Sequence, residues 1–492
     1  MSARRAALWI IVAGTIVRLV LAATTGLGTD ESYMAGNARL LALGYFDHPP
    51  LHVWMAWAAE QLFGESPLAV RAPFVLLFAA TTWLMFRLTS RLFGERAGLW
   101  AAVALTLAPV FTLADGSWLV PDGPAIFFLL AAAIAVFRAT AEESSRPLGW
   151  WLTAGVLTGL ALLSKFNAAF FPLAVFAWLI TTPSLRRHLA TAGPWLAAVV
   201  ALIVLAPALI WNAEHGWAGI AFQAGRADGS GLSVVRALTD LGGQLLYLTP
   251  WLGIPFAISL IAQLGRGPRD SRGWLLALSA IGPIAVFTLI ALRSGGLPHW
   301  TMPGWLFAIP LFGRDAAALA ARRPRFARGY MAAVAVVFAV LLVAFALEVW
   351  RGVFVPPSLI AAHPGVDPTV DLVDWRELGP VLSKQGLPAS GMAVGAPHWT
   401  IAGKVSFALG PAVPVLCVCS DPREFAFRMD QAAWDGHDIV MVGLADTDWG
   451  SVAPYFDALE PLPDAAITRA GQPIIPLQLR LGRNLHFPGE IK

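Results

Sequence analysis

Charge is what this sequence has least of. Only 13% of its 492 residues are Asp, Glu, Lys or Arg, about half the ~25% of an ordinary soluble domain. With 57% hydrophobic residues, that scarcity excludes a disordered chain, a fibre and a plain soluble enzyme. Cysteine is nearly absent, with Cys417 and Cys419 alone. Positions i and i+2 share one face of a strand; a bridge there would be tight, and two ligands do not make a zinc site. Both are expected as buried structural residues, and no disulfide framework follows. Internal repeats and low-complexity tracts are also missing.

What is present is long apolar runs and 21 Trp, the composition of a polytopic membrane protein with Trp at its interfaces. A crossing helix needs ~20 mostly apolar residues. Eleven runs qualify: 6–25, 68–86, 97–114, 118–137, 148–164, 166–185, 189–213, 241–264, 273–292, 294–313 and 329–347. The first follows Arg4 and Arg5 like a signal peptide, but it lacks a clear small-residue cleavage site and is expected to stay as a first helix.

With the N-terminus inside, the inner loops hold 17 basic residues and the outer loops and span edges six: Arg39, Arg71, Lys165, Arg226, Arg236 and Arg293. This bias predicts a cytoplasmic N-terminus and an external C-terminal segment. The charge balance also changes along the chain, from 24 basic and 15 acidic residues through Leu347 to 10 and 16 beyond it. Basic residues sitting in loops between apolar runs speak for topology rather than for nucleic acid.

The expected architecture is therefore a transmembrane domain over 1–348, with a long first outer loop at 26–67, and a soluble α/β domain over 349–492. In that loop, Met34, Ala38 and Leu41 have the spacing of interfacial amphipathic helices. In the tail, 374–384 reads as a helix. Residues 392–396, 405–409, 413–418 and 438–444 read as strands, with a helical stretch near 423–433.

Two outer-loop clusters are candidates for chemistry. Asp30-Glu31 is an acidic pair just past the first span, dear to desolvate unless used or paired. Its side chains diverge, so one can serve as base while the other holds acceptor, metal or a cation; a helix N-cap is the bland alternative. Gly44-Tyr45-Phe46-Asp47-His48-Pro49-Pro50-Leu51 places an aromatic, an acid and an imidazole before a rigid Pro-Pro step. That row suits a polar ligand, or simply a loop anchored in the headgroups.

These motifs together resemble glycosyltransferase family 39, which includes the protein O-mannosyltransferases and the lipid A aminoarabinose transferases, on the GT-C membrane fold. The likeness continues through Leu62-Phe63-Gly64, Ala69-Val70-Arg71, Leu92-Phe93-Gly94, Pro121-Asp122-Gly123-Pro124 and Leu163-Ser164-Lys165-Phe166. Further on it takes in Trp211-Asn212, His215, Phe222-Gln223, Arg226 and His299-Trp300. It covers most of 28–310 and weakens in the tail. One position departs: His48 stands where the aminoarabinose transferases usually carry Lys.

The resemblance implies an inverting enzyme of the bacterial inner membrane. It would take one sugar from a polyprenyl-phosphate carrier on the outer face and pass it to lipid A, lipopolysaccharide core, another glycolipid, polysaccharide or protein. Lys165, Arg226, Arg71, Arg293, and His48 or His299 if protonated, are the cations available to the phosphate, with Tyr45 and Asp47 beside them. Asp30 is the expected base, and Glu31 and Asp122 its support. Each residue also has a plainer reading: Lys165 as a snorkelling helix end, Arg226 in a surface pair, Asp122 as a cap, His299 as an interface anchor. A divalent cation on Asp30, Glu31, Asp122 and His48 stays open, although nothing in the spacing demands one. The competing function is a transporter or flippase of a lipid-linked sugar. Transporters favour mid-membrane ionisable groups and repeats, whereas these acids lie in outer loops.

Overall fold

The computed structural model describes residues 2–229, 231–363 and 365–487. The residues beyond 487 that belong to the expected soluble domain, together with Met1, lie outside that description. Contacts divide the chain into two units. The first is Met1–Leu19, Ala42–His52 and Pro73–Ala339; the second is Val20–Leu41, Val53–Ala72 and Val340–Lys492.

The first unit is helical. Seven helices of the described chain are long and apolar enough to cross a membrane, or ten if three bent pairs each count as one span. Ten of the eleven expected runs overlap a helix or a bent pair along most of their length, whereas 294–313 begins in the loop and turn that precede its helix. The tenth run corresponds to Met302–Arg322, which does not reach the apolarity of the others. The bends fall at breaks followed by proline, Pro109, Pro183 and Pro250, where the missing N–H and the restricted preceding residue end one helix and start the next.

Small residues set the helix crossings. Helix Pro147–Ser164 packs on Ala192–Glu214 through Gly155 and Gly159. A Cβ on the first would meet the Ala197 carbonyl at 2.5 Å, and one on the second would meet Val204 Cβ at 2.6 Å. Gly at i and i+4 lets two backbones approach where apolar burial gives no drive toward association.

The second unit carries the sheet. Its strands are β1 (Val394–Ala396), β2 (Val415–Cys417), β3 (Ile439–Leu444), β4 (Ala458–Pro461), β5 (Ala465–Arg469) and β6 (Gln472–Arg483). The order is β2-β1-β3-β6-β4, with β5 also paired to β6. The first three are parallel and the rest antiparallel. Ala393, Leu416, Ile439 and Met441 form a core on one side.

Three expectations change here. Residues 405–409 are the end of a helix, Trp399–Leu409, whose first turn is capped by the His398 imidazole accepting from Thr400 N–H. Burial of this helix on almost every side removes the amphipathic stripe that would have marked it as helical. The cysteines are joined, Cys417 to Cys419. Helix Thr29–Ala38 is buried from Glu31 through Ala38 and is not amphipathic, because it packs against Trp399–Leu409.

Candidate active site

In the first unit the chemistry gathers around Lys165. The chain breaks at this residue, between helix Pro147–Ser164 and the short turn Phe166–Ala169, and its backbone is extended. Its Nζ donates to both carboxylate oxygens of Asp122 at 2.7 Å. Asp122 opens helix Asp122–Ala139 without making a side-chain cap. Neither the snorkelling reading of Lys165 nor the capping reading of Asp122 describes them: they form an ion pair, with side chains 11% and 9% exposed. An ion pair at this depth loses much of its gain to desolvation, so it is weak as a stabilising device and strong as a means of placing charge.

Around the pair stand two imidazoles. The rings of His48 and His52 are edge to face, 5.7 Å between centroids. Burial holds His48 well below the ordinary imidazole range, helped by His52, Lys165, Arg226 and His299. Burial likewise brings His52 down to about 3, opposed by Asp122. Burial thus favours the neutral form of His48, which would count as a cation only if protonated. Positive charge here comes from Lys165 and Arg226.

The Arg226 guanidinium lies over the Trp300 ring at 4.6 Å and near Phe222 at 5.6 Å, an arrangement that orients an arginine. Gln223, one turn earlier, donates to the Asp47 carbonyl and accepts from Arg226 at 3.5 Å. The segment Tyr45–His48 is thereby tied to helix Ala218–Gly225. Tyr45 is buried, and its hydroxyl accepts from Ala42 N–H at 3.3 Å. Asp47 is buried as well. His299 stands beside Trp300 and Tyr247.

One residue of this cluster escaped sequence reading. Asp115 is 4% exposed, its Oδ2 has no hydrogen-bond partner, and it interacts electrostatically with Asp122 and Lys165. The available signal was an acid between two apolar runs.

The second unit holds the Asp-Glu pair. Asp30 lies exposed in the first turn of helix Thr29–Ala38. Glu31 is buried, accepts from Gly28 N–H at 3.0 Å, and pairs with Arg71 through Nε at 2.7 Å and Nη2 at 2.5 Å. The remaining Arg71 donors go to Thr25 O, Thr25 Oγ1 and Gly26 O. All five N–H groups are engaged and the residue is 1% exposed. Arg71 is thus a staple for the chain entering the helix and has no donor left for a phosphate, contrary to expectation. Among the described residues no three of His, Cys, Asp and Glu are grouped to hold a metal ion.

A family model described as dolichyl-phosphate-mannose-protein mannosyltransferase matches residues 47–211, the stretch that contains His48, Asp122 and Lys165. The resemblance to glycosyltransferase family 39 holds. The chain is similar to a lipid A galacturonosyltransferase of Rhizobium johnstonii, 24% identical over 307 residues, covering 61% of this chain and 63% of that one. It is also similar to an undecaprenyl phosphate-alpha-4-amino-4-deoxy-L-arabinose arabinosyl transferase of Proteus mirabilis, 26% identical over 260 residues, covering 48% and 45%. The chain thus spans less than two thirds of the length of these curated relatives. Among solved structures it is similar to ArnT from Cupriavidus metallidurans in the apo state. The TM-score is 0.65 at 18% identity, over 99% of this chain and 100% of that one. The same protein bound to undecaprenyl phosphate gives 0.64, over 96% and 97%. At this identity the likeness is one of fold, and it covers nearly the whole chain.

Proposed function

We propose that this chain is an inverting glycosyltransferase. It moves a single sugar from a polyprenyl-phosphate carrier to an envelope acceptor, such as lipid A, lipopolysaccharide core, another glycolipid or a protein. The observation that carries the reading is the pair of oriented cations, Lys165 on Asp122 and Arg226 on Trp300, beside imidazoles held neutral. Two cations held in place at helix ends of an apolar bundle suit a phosphate whose lipid tail stays among the helices.

In the reaction an acceptor hydroxyl oxygen attacks the anomeric carbon while the bond from that carbon to the phosphate oxygen breaks. The transition state is oxocarbenium-like, as in glycoside cleavage. Polyprenyl phosphate leaves with the bonding electrons, and Lys165 and Arg226 stabilise the charge that grows on its oxygen. The hydroxyl proton passes to Asp30 as general base. Glu31, clamped by Arg71 and Gly28, fixes the turn that presents Asp30. If the acceptor oxygen already belongs to a phosphate, Asp30 serves only to position it.

The same reading places eleven spans in the inner membrane, the N-terminus in the cytoplasm and residues 349–492 outside. The arginine asymmetry of the loops supports it. So does the Cys417–Cys419 disulfide, since disulfides persist in oxidising compartments. A purified preparation given a polyprenyl-phosphate sugar and lipid A should release polyprenyl phosphate and add one sugar mass to the acceptor. Lys165→Ala should abolish both. Sugar-lipid movement across vesicles without cleavage would replace this reading with the flippase.

A further inference from the structure

A second concentration of charge lies at the far end of helix Thr29–Ala38, in the same unit as Asp30. Arg428 sits on the short helix Phe425–Arg428, half-buried, with its guanidinium 3.9 Å from the Phe425 ring. Its N–H groups go to two neutral acceptors, Asn37 Oδ1 at 3.3 Å and Ser406 Oγ at 3.3 Å. The same Ser406 hydroxyl also accepts from Arg39 at 3.0 Å. Two guanidinium groups therefore converge on one uncharged oxygen.

The two guanidinium groups are compensated differently. Glu65 takes a bidentate grip on Arg39 at 2.7 and 2.9 Å, while Arg428 donates to the neutral oxygens of Asn37 and Ser406 and feels the buried Glu424 carboxylate electrostatically. Beside Arg428, the Asn37 side chain is 1% exposed, and its Nδ2 has no hydrogen-bond partner. A buried amide donor left unpaired is costly. Gly36 lies under this seat, where a Cβ would stand 2.9 Å from Arg428 Nη1 and push the guanidinium aside.

The rim of this seat is apolar. Leu40 and Leu41 follow Arg39 in the chain and are 51% and 57% exposed; Phe427 precedes Arg428 and is 39% exposed. Leu62 and Phe63, at 75% and 72%, end the helix that precedes Glu65. An anionic group held by arginine and amide, with exposed hydrocarbon around it, describes an anionic lipid better than a soluble ion.

We propose that Arg428, Asn37 and Ser406 form a binding site for a phosphate group of the acceptor glycolipid. Asn37 lies seven residues beyond Asp30 on one helix, a rise of roughly 10 Å. That is about the reach from a sugar hydroxyl to a charged group one or two rings away. The proposal rests on the transferase reading for its choice of occupant.

The test uses the full chain in phosphatidylcholine nanodiscs with three probes: phosphorylated lipid A, the same lipid with its phosphates removed, and inorganic phosphate. Wild type should bind the phosphorylated lipid about tenfold more tightly than the dephosphorylated one. Arg428→Ala should erase that difference. Asn37→Asp, which puts a carboxylate beside Arg428, should erase it too while keeping the thermal midpoint at or above wild type. Inorganic phosphate should compete roughly a hundredfold more weakly than the lipid, because only the lipid also covers the apolar rim.

Equal binding of the two lipids by wild type overturns the proposal, as does a phosphate preference that survives either substitution. Inorganic phosphate binding as tightly as the lipid overturns the lipid assignment. Undecaprenyl phosphate binding in the same discs separates the two readings. Its failure in wild type would strike the transferase reading, while a lipid A preference that depends on Arg428 would still stand.

Discussion

Arginine and lysine in this chain do different work depending on what surrounds them, and that difference can be measured. Arg71 is saturated by five hydrogen bonds, whereas Arg226 is oriented by an aromatic face. Arg71→Ala leaves the buried Glu31 without its guanidinium partner, a change that costs about 3–5 kcal/mol in buried pairs. It should lower the thermal midpoint sharply. Arg226→Ala should leave the midpoint near wild type and weaken polyprenyl phosphate binding at least about tenfold, the scale of a lost charged hydrogen bond. Titratable groups give a second residue-scale test. His48 and His52 are depressed in the folded state, so the unfolded chain binds protons that the folded chain does not. Stability should therefore rise with pH through the range below about 6.5. Glu60, pushed up to about 8 by burial and by Glu65 against the pull of Arg39, works the other way: the folded chain holds the proton. Its contribution is intact below its ordinary range and is lost as pH rises toward 8. Thermal melts across pH should show both limbs, and Glu60→Gln should flatten the alkaline one. An alkaline limb unchanged in Glu60→Gln would contradict that assignment.

At the scale of elements, the spans were readable because a bilayer demands length and apolarity of each one separately. Most expected runs met a helix, with bends at Pro109, Pro183 and Pro250 redistributing residues between neighbours, while 294–313 was set too early for its helix Met302–Arg322. The soluble tail was harder, since its elements are short and decided by packing. Val405, Ser406 and Phe407 have a strand's composition and lie in a helix buried on most sides. The antiparallel strands 458–483 were not anticipated. Their turn at Ala470-Gly471, with both residues at positive φ, is the local signal that marks them in retrospect. Helix crossings give a further prediction. Gly155→Leu or Gly159→Leu should separate helices 147–164 and 192–214 and reduce recovery of monodisperse protein on size-exclusion chromatography. Gly149→Leu, where a Cβ meets nothing closer than 3.9 Å, should not.

At the scale of the whole molecule, the candidate residues divide between the two units. Asp30, Glu31 and Arg71 belong to one; Tyr45, Asp47, His48, Asp122, Lys165, Arg226 and His299 belong to the other. The motifs named these residues but could not say which were structural. Arg71 and Glu31 needed their partners to be seen, and His48 needed its burial. Asp115 and Arg428 belong to no motif, so only the folded chain brings them forward. Topology is testable at this scale: a reporter active only outside the cytoplasm, fused after residue 487, should be active. The transferase reading is tested most directly by mass spectrometry of envelope lipids, lipopolysaccharide and polyprenyl-phosphate sugars. The strains to compare are wild type, a deletion, and the deletion complemented with Asp30→Asn. The account predicts that one sugar-sized unit vanishes from an acceptor in both mutants while its lipid-linked donor accumulates. Full restoration of the acceptor by Asp30→Asn would contradict Asp30 as the base, and an unchanged envelope in the deletion would contradict the transferase.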